Sequence, residues 1–229
     1  MVRTVGLIGG LGWQSTAEYY ERINREVEYN SKGKNAKILL FSLDFSHILS
    51  LEQKGRWDDV GDIIKDAGIR LQGAGAEALV ICSNSAHKAA GPLEESADIP
   101  LIHVVDATAR ALKEKGLRTI GLLGTKFILK DPFYAEKLRS MGYESILPDL
   151  PDIEKLNKII YRELARGKIK KDSSAYAYGL AEELVGKGAQ GIVLGCTELP
   201  LIITAPHVSV PLVNTMDTHV DAICDFILG

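Results

Sequence analysis

Three cysteines and two tryptophans are all that a chain of 229 residues carries of either. Three is an odd count with no paired framework around it, so reduced thiols in the cytoplasm are the simplest expectation. No apolar run is long enough to span a membrane, and Met1-Val2-Arg3-Thr4-Val5-Gly6-Leu7-Ile8 is too short and glycine-broken for a signal peptide. Nor is one sign of charge in excess. The net charge is −3 with acids and bases interspersed, which sets up no field for nucleic acid or anionic lipid. The 46% hydrophobic and 25% charged content is that of an ordinary soluble globular protein. At this length one domain or two small lobes bury about three quarters of the unfolded surface.

Two of the scarce cysteines stand in matching surroundings. Leu79 to Ile81 reads as a short buried strand that delivers Cys82, followed by Ser83-Asn84-Ser85-Ala86-His87. Ile192-Val193-Leu194-Gly195 delivers Cys196 in the same way, with Thr197-Glu198 directly after. The rest of the chain repeats with them. Thr119-Ile120-Gly121-Leu122-Leu123-Gly124 copies Thr4-Val5-Gly6-Leu7-Ile8-Gly9, and Tyr134 and Glu136 fall on Tyr19 and Glu21. Gly188-Ala189 copies Gly75-Ala76. Val210-Pro211-Leu212-Val213, with Asp217, copies Ile99-Pro100-Leu101-Ile102, with Asp106. Matched segments in one order with slightly drifting offsets argue for a duplication.

Each half alternates strands and helices, which predicts two pseudo-symmetric α/β lobes with parallel sheets. The expected lobes are residues 1–98 plus 212–229, and 99–211. Right-handed crossovers turn the carboxyl ends of both sheets toward a shared cleft, where ligands of such folds bind and where the active site is expected. In order, the pattern predicts a helix capped by Ser15 or Thr16 and running to about Tyr29. A strand over 36–43 follows, covered by helices on both faces. Next come a loop or arm over 44–57, a helix over 58–73, a further strand over 101–104, and a helix capped by Asp106.

A lone cysteine at a strand end is more often a packed core residue than a reactive one. Two at equivalent strand ends of a duplicated chain are poorly explained by packing, so Cys82 and Cys196 are the candidate catalytic pair. A helix N-terminus after each strand is expected to lower the thiol pKa. Cys224, among Ile223, Phe226 and Ile227, belongs to the core. No Cys-x-x-Cys is present, and His87 and Glu198 are too few for a closed zinc site; a disulfide between the pair stays open as an alternative. Gly9-Gly10-Leu11-Gly12 after a first strand raises a dinucleotide reading. The G-x-G-x-x-G frame from Gly10 finds Ser15 where Gly or Ala is needed, and no acid ends a strand twenty residues on. The glycines serve equally to bring backbone N–H groups at Gly10 and Leu11 close to a carboxylate. Ser83, Asn84, Ser85 and Thr197 are helix caps or carboxylate donors, and both roles can hold together. His87, His103 and His219 lie at element edges and are expected to be structural.

These stretches resemble the aspartate/glutamate racemases that work without pyridoxal phosphate. The resemblance rests on Gly-Gly-Leu-Gly-Trp-Gln-Ser-Thr at 9–16, Cys-Ser-Asn-Ser-Ala-His at 82–87 and Gly-Cys-Thr-Glu at 195–198. Asp44-Phe45 and Lys54-Gly55-Arg56-Trp57-Asp58 look closest to the bacterial branch with broad aspartate and glutamate specificity. The resemblance implies a cofactor-independent racemase of those amino acids, with Cys82 and Cys196 as paired acid and base. It implies that Asn84, Ser85, Thr125 and Thr197 hold the α-carboxylate, and that Lys170 holds the side-chain carboxylate. The arm after the second strand reads Phe45-Ser46-His47-Ile48-Leu49, without the Arg of the aspartate-specific branch, so Gln53 or Arg56 is left to replace it. A homodimer is implied by the family alone. The expectations are then a small amino-acid substrate, no cofactor, no metal, no nucleic acid and no membrane. Other isomerases of the superfamily, a nucleotide-dependent reductase and a two-lobed amino-acid-binding protein are the alternatives.

Overall fold

β-rich apolar runs alternate with amphipathic stretches in the sequence, and the element order follows them, in a computed structural model that describes residues 2–229. The chain runs β1 (Thr4–Gly9), α1 (Trp13–Asn30), β2 (Lys37–Ser42), α2 (Phe45–Gln53), α3 (Trp57–Gly73), β3 (Ala78–Ile81), α4 (Gly91–Ser96) and α5 (Val104–Glu114). It continues through β4 (Thr119–Gly124), α6 (Lys126–Leu129), α7 (Phe133–Ser140), β5 (Glu144–Ile146), α8 (Leu150–Arg162), α9 (Lys171–Gly186), β6 (Ile192–Gly195), β7 (Leu212–Asn214) and α10 (Thr215–Leu228). It divides into two compact units, Met1–Val104 with His219–Gly229, and Val105–Thr218. The helix that closes each half of the sequence goes to the other unit: nearly all of α5 to the second, and most of α10 to the first.

Both sheets are parallel and share one topology. The first unit has strand order β2-β1-β3, extended by an isolated parallel bridge between Leu79 and Leu101. The second has β5-β4-β6-β7. In each unit the cysteine strand lies against the first strand: Ile8 faces Ile81 in one sheet, and Gly124 faces Gly195 in the other. Parallel pairing therefore sets Cys82 beside the end of β1, and Cys196 beside the end of β4.

The repeated glycine in the middle strands has a packing reason. A Cβ at Gly6 would sit 3.0 Å from the Cβ of Leu71, and one at Gly121 would sit 3.0 Å from the Cβ of Leu184. These leucines belong to α3 and α9, so each glycine lets the covering helix lie directly on its sheet. The helices earn that position by periodicity: Val60, Ile64, Ala67 and Leu71 are buried along α3, and Ala177, Leu180, Ala181 and Leu184 along α9. Asp58 and Asp59 in the first turn of α3, with Arg70 in its last, also suit the helix dipole. Each fully buried Leu or Ile of these cores contributes roughly 1.5–3 kcal/mol.

Five local expectations are corrected. The segment 45–53 is a helix, α2, capped by Asp44, whose Oδ1 accepts from the Ser46 N–H at 2.9 Å. β2 is an edge strand bonded only to β1, and Leu40 is half exposed on it, so its two faces are not both covered. The 101–104 strand reduces to the single bridge at Leu101, because Val104 already begins α5; Asp106 thus lies in that helix's first turn rather than at its cap. Thr16 does not cap α1, which starts at Trp13. Its Oγ1 instead accepts the Gly10 N–H at 2.9 Å and donates to the Gly12 carbonyl at 3.1 Å.

Candidate active site

In the first unit, three consecutive strand ends release their chains on one edge of the sheet. β1 releases Gly10 and Leu11. Gly10 has φ +77°, and a Cβ there would lie 2.2 Å from the Leu43 carbonyl oxygen, so only glycine fits this turn. Its N–H is held by Thr16, while Leu11 is buried in the core with Ile8, Ile81 and Ala86. β3 releases Cys82, fully buried, whose N–H bonds the Ile8 carbonyl at 2.9 Å. A short 3₁₀ turn, Ser85–Ala89, follows with Asn84 buried at its start. The Oγ atoms of Ser83 and Ser85 are 3.4 Å apart, and both side chains are half-buried.

The histidines around this edge are structural in position. His87 Nδ1 donates to the Ser83 carbonyl at 2.6 Å, and its Nε2 accepts the Val104 N–H at 3.3 Å, which fixes one tautomer. The His103 ring lies 4.5 Å from that of His87. His219 Nε2 donates to the Ile102 carbonyl at 2.7 Å, and its Nδ1 accepts the Tyr19 hydroxyl at 2.9 Å. Burial pushes the His219 pKa down to about 4. Among the described residues no group of three or more His, Cys, Asp or Glu side chains is arranged to hold a metal ion.

The third strand end leads into α2. Gln53, at its last position, is exposed, and so are Lys54 and Arg56. The Arg56 guanidinium is engaged by Asp59 through two bonds of 2.6 and 2.7 Å. The buried polar residue of this helix is Glu52, only 5% exposed, which sequence reasoning passed over. The signal was present. Ile48, Leu51 and Glu52 stand at i, i+3 and i+4, so the acid occupies the apolar stripe.

In the second unit, Cys196 is buried at the end of β6 and its Sγ donates to Glu198 Oε2 at 3.0 Å. Thr197 Oγ1 donates to the same oxygen at 2.8 Å. Glu198 thereby acquires a place in the site that the sequence left undecided. Thr125 follows β4; it is buried, and its Oγ1 makes no hydrogen bond, although its carbonyl accepts the N–H groups of Ile128 and Leu129 at 3.0 Å. Lys170 precedes α9 with its side chain mostly exposed, and its ammonium pairs with Glu163 at 3.0 Å. Glu163 is also bonded by Ser173 Oγ at 2.6 Å.

The thiols are free and buried, but they are not predisposed to ionise. Burial pushes the Cys82 thiol well above the ordinary range. Cys196 is pushed up by burial first and then by the negative charge of Glu198 beside it. The expected lowering by a helix N-terminus is therefore corrected: a 3₁₀ turn of five residues after Cys82, and one of three, Leu199–Leu201, after Cys196, are too short to offset desolvation. Both sites hold neutral thiols, which are proton donors.

Two parallel α/β units, each ending its cysteine strand beside its first strand, define a recognisable class. The Asp/Glu/hydantoin racemase family model matches residues 8–223, and the chain belongs to that family, as an amino-acid racemase. It is similar to a Yersinia pestis protein described as a candidate Asp/Glu racemase, with 41% identity, TM-score 0.94 and coverage of 99% of this chain and 100% of that one. It is also similar to an aspartate racemase homologue from Pyrococcus horikoshii, at 29% identity, TM-score 0.87 and full coverage of both chains. The broad specificity amino-acid racemase RacX of Bacillus subtilis is 20% identical over 219 residues, 92% of each chain.

Proposed function

We propose that the protein interconverts L- and D-aspartate and L- and D-glutamate by two-thiol proton transfer at Cα, with no cofactor. The observation that carries this reading is the repeated register: in both sheets the strand bearing the cysteine ends beside the first strand, at Ile81 against Ile8 and at Gly195 against Gly124. One cysteine removes the α-proton and the other protonates the opposite face. Because burial holds both as thiols, the base must be generated. Glu198 Oε2, 3.0 Å from the Cys196 sulfur, is the acceptor at hand.

The carbanion needs its carboxylate stabilised by fixed donors. The buried hydroxyl of Thr125, without a hydrogen-bond partner, supports that role, and Ser83, Asn84, Ser85 and Thr197 complete the proposed set. Lys170 is the proposed cation for an acidic side chain, with the substrate carboxylate competing against Glu163. A homodimer in the cytoplasm completes the reading; three free thiols suit a reducing compartment. Among the described residues, no helix is long and apolar enough to cross a membrane.

The test is exchange in deuterated water followed by chiral chromatography. Each of Cys82→Ala and Cys196→Ala should lose net racemisation by about 10²–10⁴-fold. Each should keep slow α-proton exchange for one enantiomer only, opposite in the two variants, because a sulfur reaches the proton on its own side of Cα. Exchange of the same enantiomer by both variants would overturn the two-thiol mechanism.

A further inference from the structure

Cys82 is anchored on both sides, and only one of the anchors is backbone. Its N–H bonds the Ile8 carbonyl at 2.9 Å, which ties it to the end of β1. The next carbonyl, that of Ser83, is bonded by the His87 ring at 2.6 Å. A carbonyl only accepts, so His87 carries its proton on Nδ1. Its Nε2 then accepts the Val104 N–H at 3.3 Å, and both ring nitrogens are engaged by backbone. The residue is only 3% exposed, with the rings of His103 at 4.5 Å and His219 at 5.6 Å beside it.

The second unit shows what this ring replaces. There β7 pairs with β6 over three residues, from Ile192 with Leu212 to Leu194 with Asn214. The corresponding segment of the first unit pairs only at the Leu79–Leu101 bridge. Past that bridge, side chains take the backbone groups: His219 bonds the Ile102 carbonyl at 2.7 Å, and His87 accepts the Val104 N–H. His87 therefore links the shortened strand to the turn that carries the first thiol. The cysteines are 196 − 82 = 114 positions apart, which sets Leu201 opposite His87 in the repeat. Leu201 is half exposed and has no polar side-chain atom. Cys196 is engaged by Glu198 at the sulfur itself. The two thiols are thus set by different means, one through its backbone and one through Sγ.

Resting on the racemase reading above, we propose that His87 is the positioning residue of Cys82. Its Nδ1–H bond to the Ser83 carbonyl fixes the chain just after Cys82, and so fixes Sγ where it exchanges a proton with Cα. Without that bond the Cys82 backbone is held from the β1 side alone, and a misplacement of about 1 Å costs roughly a hundredfold in rate. The bond to Val104 serves the start of α5 rather than the thiol. His87 takes and gives no proton in the reaction.

Asparagine and glutamine divide the two bonds between them. Asn Nδ2 stands in the place of Nδ1 and can donate to Ser83, whereas Gln Oε1 reaches the place of Nε2 and can accept from Val104. Each substitution is made in Cys196→Ala, where Cys82 survives, and in Cys82→Ala, where Cys196 survives. Exchange of the α-proton of aspartate and glutamate is then followed in deuterated water. In Cys196→Ala, His87→Gln is expected to slow exchange about 10–100-fold, and His87→Asn to stay within about threefold. In Cys82→Ala, both substitutions are expected to stay within about threefold. Every other pattern overturns the role of His87, including equal slowing in both backgrounds and rescue by Gln instead of Asn. No exchange by the parent, or by both single-cysteine variants before His87 is changed, overturns the two-thiol reading and His87's role with it. Should the His87 variants not fold, proton–nitrogen correlation spectra of the parent with isotope-labelled histidine decide. The Nδ1–H tautomer is expected for His87, with its signals shifted on saturation with aspartate. The Nε2–H tautomer, or signals unmoved while aspartate is turned over, would overturn the proposal.

Discussion

At the residue scale the protein sets its acid–base chemistry by burial. Neither thiol gains from a helix end enough to ionise, so the carboxylate of Glu198 becomes the local partner of Cys196. Two hydrogen bonds, from Cys196 Sγ and Thr197 Oγ1, converge on one of its oxygens. Replacing Glu198 by Gln keeps the size but removes the proton acceptor. Proton abstraction by Cys196 is expected to slow about 10²–10⁴-fold, with abstraction by Cys82 affected far less. Exchange rates measured separately for the two enantiomers read this directly, and equal slowing of both would remove Glu198 from its assigned role. For Lys170→Ala, turnover of glutamate should fall while that of norleucine and the melting temperature hold. Loss for both substrates alike would reduce Lys170 to a helix-end partner of Glu163.

At the element scale the duplication is a packing solution used twice. Gly6 and Gly121 occupy equivalent positions in the middle strands, and each admits a leucine of the covering helix to within contact of the backbone. Gly121 is the tighter of the two, since an added Cβ would lie 2.6 Å from Ile192 Cδ1. Gly121→Ala is expected to cost about 1–3 kcal/mol of unfolding free energy through overpacking, measured by urea denaturation. A neutral outcome would mean that α9 shifts freely on the sheet. Two of the elements the sequence mispredicted have separate causes. α2 was hidden because its apolar stripe contains the buried acid Glu52, and hydrophobic periodicity counts an acid as a solvent-facing residue. β2 reads as a strand covered by helices on both faces because Ile38, Leu39, Leu40 and Phe41 are all apolar, yet Leu40 is half exposed and the strand lies at the sheet's edge.

At the scale of the whole molecule two buried groups pull the pH dependence of stability in opposite directions. His219 in α10 bonds Tyr19 and the Ile102 carbonyl, tying residues far apart in sequence, and is held neutral with its pKa lowered to about 4. Between an unfolded value near 6.5 and that folded value, the unfolded chain binds more protons, so stability falls on acidification. Glu52 has its folded pKa raised to about 7, above an unfolded value near 4.5. There the folded chain binds more protons, so stability rises on acidification through that window. Each effect amounts to on the order of 3 kcal/mol over its full range, and the two overlap between about pH 4.5 and 6.5. The parent should therefore change little from pH 7 to 5 on their account. Glu52→Gln should lose about 2 kcal/mol more than the parent over the same interval in urea denaturation. Parallel curves for parent and variant would contradict the burial assigned to Glu52.

The sequence by itself determined the duplication, the parallel α/β units, the placing of Cys82 and Cys196 at equivalent strand ends, and through its motifs the family. These features are local or periodic: a strand needs its apolar run, a helix its stripe, and a repeat only to be compared with itself. Tertiary structure decided what no single segment carries. It buried the thiols and so kept them protonated, set Glu198 against one of them, left Gln53 in water and drew Glu52 out of it. It also gave residues from Val105 to the second unit and those from His219 to the first. Desolvation and pairing depend on what remote parts of the chain pack around a side chain, and neither composition nor spacing records that distance.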